Sequence, residues 1–146
     1  MDRFNLIDND DVYISKDAVP SGAHLPPLYY VLPDNDAIYF AGLKRESCTL
    51  IFTVTRHTDQ VRLGERCLEL RRKCGPWLKI IIKNIDGIIR HQDECLFITV
   101  GVNLILHSST DISRVMSQVQ AIQGFKFSRE LPNSYNEVLN FSKGAI

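Results

Sequence analysis

This sequence contains no uninterrupted apolar run of about 18 residues, so no bilayer-spanning helix is expected. Its opening, MDRFNLIDND, has neither a basic stretch nor an apolar segment behind it, and no secretory leader is expected. Cysteine is sparse. Cys48, Cys67, Cys74 and Cys95 never fall at Cys-x-x-Cys spacing, which speaks against a zinc framework even with His91 nearby, and reduced thiols are expected. The signatures of the common enzyme classes are missing as well: no Gly-x-x-x-x-Gly-Lys, no Gly-x-Gly-x-x-Gly, no His-Glu-x-x-His and no Gly-x-Ser-x-Gly. His24, His57, His91 and His107 are scattered, and the adjacent Asp93 and Glu94 would face opposite sides of a strand. No catalytic residue, metal site or cofactor is therefore expected.

Net charge is also missing, with 17 basic and 17 acidic side chains, but it is unevenly spread. Residues 1–36 carry seven acids and two bases, whereas residues 44–90 carry eleven bases and five acids. Such asymmetry predicts a positive surface in the middle of the chain. Arg62, Arg66, Arg71, Arg72 and Lys73 lead the candidates, with Lys79 and Lys83 behind them, for contact with anionic lipid or RNA phosphates. The alternative is a charged helix face solvated by water.

With no repeat or low-complexity tract, the length suits one domain. Residues 1–35, which hold Pro20, Pro26, Pro27 and Pro33, are expected as an extended N-terminal arm with a short strand at DVYIS. Residues 36–146 are expected as the folded domain. AIYFAG and SCTLIFTVTRH are predicted strands from their β-branched and aromatic content. In HTDQVRLGERCLELRRKCGPW the 4-3-4 spacing of Leu63, Cys67, Leu70 and Cys74 predicts a helix, opened by Thr58 and closed by Gly75 and Pro76. Asp86-Gly87 between apolar runs predicts a hairpin, with ECLFITVGVNLILH as its long return strand. STDISRVMSQVQAIQG predicts a second helix, capped by Ser109 or Thr110, with an apolar face of Ile112, Val115, Met116, Val119 and Ile122. FKFSREL is expected as an edge strand and a terminal helix near Asn133. The fold class predicted is α+β, a single domain with a largely antiparallel sheet or sandwich and two to three amphipathic helices.

One short motif stands out. Pro26-Pro27-Leu28-Tyr29 has the Pro-Pro-x-Tyr form that WW domains bind, because two prolines preorganise a polyproline II helix and an aromatic groove takes a proline and the tyrosine. The same residues also fit the entry to an edge strand. The docking reading requires Tyr29 to be exposed.

With its motif placed before the core strands, this chain resembles the small matrix proteins of negative-strand RNA viruses: rhabdovirus and filovirus proteins carry such a late-domain motif, and bornavirus-like ones have this size. The resemblance implies a structural protein of the virion that self-assembles as a homo-oligomer under the envelope. It implies contact with an anionic membrane surface and with viral ribonucleoprotein or RNA. It also implies recruitment of a WW-domain ubiquitin ligase for budding, in host cytoplasm and at the inner face of the host membrane. The alternative function is a cytosolic RNA-binding or adaptor protein without a membrane role.

Overall fold

The computed structural model describes residues 10–144. Its strands are β1 (Val12–Ser15), β2 (Tyr29–Leu32), β3 (Thr49–Val54), β4 (Lys79–Asn84) and β5 (Leu104–Leu106). Its helices are α1 (Asn35–Gly42), α2 (Gln60–Cys74), α3 (His91–Thr99), α4 (Ile112–Ala121) and α5 (Tyr135–Gly144). All five strands form one parallel sheet in the order β2-β1-β3-β4-β5. That is a doubly wound α/β order, with the switch point between β1 and β3.

The central strands show why the sheet is parallel. Every residue of TLIFTV in β3 and of KIIIKN in β4 is buried. An antiparallel sheet with one wet face would alternate apolar and polar residues, whereas these strands are covered on both sides. Leu50, Phe52, Ile80 and Ile82 face a core built with α1, α2, α3 and α5. Val12, Ile14, Ile51, Ile81 and Leu106 face the other way, onto Val115 and Val119 of α4. The link from β1 to β2 has only a three-residue 3₁₀ turn, Lys16–Ala18, where the other links have α-helices, so α4 is the one helix that covers this second face among the described residues.

These observations correct the antiparallel α+β expectation. The expected arm is also corrected: its described part supplies β1, a central strand, and β2, an edge strand, while residues 1–9 lie outside the described residues. AIYFAG is helical because Asp34 caps it, accepting from the Ala37 amide at 2.9 Å, and because Ile38 and Tyr39 then reach the core. Asp86-Gly87 does turn the chain, with Gly87 at φ 68°, but it leads into α3 and not back into a hairpin. ECLFITVGVNLILH divides into the end of α3, a turn at Gly101 (φ 111°) and β5. A continuous apolar run has no period to distinguish helix from strand. FKFSREL forms no strand; Phe127 is buried beneath the guanidinium of Arg71, and its amide donates to the Pro76 carbonyl at 2.9 Å. DVYIS, β3, α2, α4 and the terminal helix form where expected, although α2 and α4 are capped by Asp59 and Asp111.

Candidate functional site

Ligands of open α/β sheets bind beyond the carboxyl ends of the strands, at the switch point. A cleft of about 410 Å³ opens there, lined in part by Asp17, Asp34, Asp36, Thr53, Asp59 and Arg62. Most of its acids have structural duties. Asp34 caps α1, Asp59 caps α2 by accepting from the Arg62 amide at 3.1 Å, and Asp36 pairs with Arg66. Near the end of β3 stands a neutral residue, Thr53. The Asn35 side chain clamps its backbone, accepting from its N–H at 3.0 Å and donating to its carbonyl at 2.8 Å, and the Thr53 hydroxyl contacts that of Ser15 at 3.2 Å. Among the described residues no three His, Cys, Asp or Glu side chains gather as a metal set.

The same edge continues over the loops after β3 and β4. The Arg56 amide donates to Asp86 at 2.7 Å, and the Ile85 amide to the Val54 carbonyl at 2.9 Å, so these loops are tied together. Helix α3 then begins with Arg90 as its N-cap, and no side chain caps it. Helices α1, α2 and α4 each receive an aspartate oxygen at this position. The first turn of α3 thus keeps amide donors without a side-chain acceptor, at a helix-dipole end that the Asp93 and Glu94 carboxylates of the same turn partly offset. The Arg90 side chain is 72% exposed and touches Asp93 through Nε at 3.4 Å.

The predicted basic residues do not share one surface. Arg62 and Arg66 line the cleft, and Arg66 also stacks on the Tyr39 ring with its carbon Cζ 4.4 Å from the centroid. Arg72 donates to the Pro132 carbonyl and Lys73 pairs loosely with Glu69 at 3.8 Å. Arg71 is 3% exposed: it donates to the carbonyls of Gly101, Gly75 and Leu78 and to the Asn103 amide oxygen. Burial lowers its pKa to about 10. Lys79 is 1% exposed and pairs with Asp10 at 2.5 Å, while Lys83 is buried, donates to the His107 carbonyl, and has its ammonium pKa pushed down by desolvation. These three bases serve the interior.

In the Pro-Pro-x-Tyr motif, Pro26 and Pro27 are exposed and irregular. Leu28 takes a left-handed φ of 77° and its carbonyl accepts from the Val12 amide at 2.8 Å. Tyr29 is the first residue of β2, opposite Val12, and packs half-buried on the second core, where desolvation raises its phenol pKa. It is a strand residue.

The family model for the BcsE degenerate REC domain matches residues 8–145. The chain belongs to this family. A Klebsiella pneumoniae protein, "Cyclic di-GMP binding protein BcsE", is 35% identical over 121 residues, covering 81% of this chain and 23% of that protein. Proteins of the same name from Salmonella typhimurium strain LT2 and Escherichia coli strain K12 are 29% and 26% identical, each over 89% of this chain and 25% of the relative. The chain therefore spans about a quarter of the length of the curated relatives it matches.

Membership in the BcsE family overturns the viral matrix resemblance, since these relatives are bacterial proteins. The virion, envelope assembly and budding go with it. So do its viral and host partners: the WW-domain ubiquitin ligase, the viral ribonucleoprotein or RNA and the host membrane surface; the expected homo-oligomer loses the resemblance that implied it. The adaptor alternative fits these findings better. No helix among the described residues is long and apolar enough to cross a membrane. Arg90 was not recognised in the sequence as a helix N-cap because its helix lies largely in an apolar run read as a strand.

Proposed function

We propose that this chain is a binding module of a BcsE-type protein and takes part in cyclic di-GMP recognition, without catalysis of its own. Arg90 at the uncapped start of α3 carries the reading. A phosphodiester there would accept from the first-turn amides, sit at the positive end of the dipole and receive a charge-assisted fork from Arg90. The ligand is the one after which these relatives are named. The absence of catalysis is supported by Thr53 near the end of β3: an aspartyl-phosphate mechanism needs a carboxylate nucleophile, and here hydroxyl and amide groups are locked to one another.

Calorimetric titration of this chain with cyclic di-GMP at fixed salt tests the proposal. Arg90→Ala should weaken binding by tenfold or more with thermal stability unchanged, because the side chain is exposed. No binding by the parent chain, or equal binding by the variant, would overturn it.

A further inference from the structure

Arg56 repeats the arrangement of Arg90 one strand away. Strands β3 and β4 are neighbours, with Val54 beside Asn84, so their following loops leave the sheet side by side. Arg56 lies two residues past the first strand, and Asp86 two residues past the second. Each arginine side chain is mostly exposed, 73% for Arg56 and 72% for Arg90. Each meets one carboxylate through Nε alone: Arg56 meets Asp86 at 3.8 Å, and Arg90 meets Asp93 at 3.4 Å. In both, the two terminal nitrogens have no hydrogen-bond partner among the described residues. The Arg90 contact is a hydrogen bond and that of Arg56 a loose ion pair, so Asp86 fixes Arg56 through its main-chain amide, and both outer forks remain available to a bidentate acceptor.

We infer that Arg56 is the second guanidinium of the dinucleotide site, on a loop whose main chain Asp86 holds in place. The inference rests on the proposed reading of Arg90. A cyclic dinucleotide of guanosine presents two phosphodiesters and two guanines. A single arginine at one helix terminus answers half of such a ligand. Each half offers a pair of acceptors, either phosphate oxygens or guanine O6 and N7, that an arginine fork can take together. Asp86 acts as a positioning residue. Its carboxylate accepts from the Arg56 main-chain amide, which joins the loop carrying Arg56 to the loop that runs on to Arg90.

The test is calorimetry on the full chain with cyclic di-GMP and, as a half-ligand, with GMP. Arg56→Ala should weaken cyclic di-GMP binding tenfold or more and leave GMP binding within about twofold, because GMP is held at Arg90 alone. Arg56→Lys should recover only part of the loss, since an ammonium has no planar fork. Asp86→Ala should reproduce a smaller loss of cyclic di-GMP affinity with Arg56 still present. If Arg56→Ala binds cyclic di-GMP like the parent while Arg90→Ala does not, the inference fails and the reading of Arg90 stands. If Arg56→Ala also weakens GMP tenfold, the two arginines do not divide the ligand between them and the inference fails. If the parent chain binds neither compound, both fall together.

Discussion

The ring of Tyr135 lies where a β-carbon on Gly64 would be: an added Cβ would come within 2.0 Å of its Cε1. Through this contact α5, the last helix described, seats its first residue on the second turn of α2. Tyr135 is buried there, and its phenol pKa is pushed up to about 12, chiefly by desolvation. Gly64→Ala improves local helix propensity by about 1 kcal/mol but overpacks the seat at a cost of about 1–3 kcal/mol. The expected result is a lower Tm with selectively faster hydrogen exchange in α5. A higher Tm with α5 protection intact would show that the ring has room to move.

Arg71 should matter to folding far more than the exposed bases beside it. Its guanidinium joins the end of α2 to the loop before β4 and to the Gly101 turn, with Gly101 O at 2.8 Å from Nη2 and Leu78 O at 2.5 Å from Nη1. Arg71→Met keeps the volume and orphans several acceptors, for an expected loss of about 3 kcal/mol or more. Arg72→Met should change stability by no more than about 0.5 kcal/mol. Urea denaturation with an unchanged slope reads both. Equal effects at the two positions would contradict the internal role.

Alkaline pH should destabilise the fold through its buried thiols. Desolvation pushes Cys48 and Cys67 up to about 12. An unfolded thiol ionises near ~8.5, so above that pH the unfolded chain loses protons that the native state keeps. This stability is fully present below that pH and is lost as pH rises toward 12, at up to about 1.4 kcal/mol per pH unit for each thiol. A Cys48→Ala, Cys67→Ala double variant should show a flatter stability curve between pH 8.5 and 10. A parent curve flat over that range would count against these thiols remaining protonated.

Tyr29 should behave as a strand residue. It pairs with Val12 and packs half-buried on the second core. Tyr29→Ala is expected to cost about 1–2 kcal/mol, judged from the apolar area of a half-buried aromatic. Thermal unfolding checks this, and an unchanged Tm would mean that β2 contributes little to the sheet.

Several elements could be read from neighbouring residues alone. Helix α2 was legible because Leu63, Cys67 and Leu70 recur at helical spacing and Gly75-Pro76 stops the chain; α4 was legible from Val115 and Val119 in the same way. These signals depend on residues within one or two turns. Strand β3 was legible from its composition. Strand direction was not, because antiparallel and parallel partners are distinguished by the path of the intervening chain and by cover on both faces. Helices α1 and α3 were hidden for a related reason: Ile38 and Leu96 become core residues only once the sheet exists to receive them. The charges show the same division most plainly. Sequence composition put eleven bases between residues 44 and 90, but Lys79 is committed to Asp10, 69 residues away, and Arg71 to Gly101, 30 residues away. Burying a cation requires partners, and only the folded chain brings those partners together. Arg56 and Arg90 remain on the carboxyl edge because the loops that carry them end two parallel strands, a fact of topology that no local pattern records.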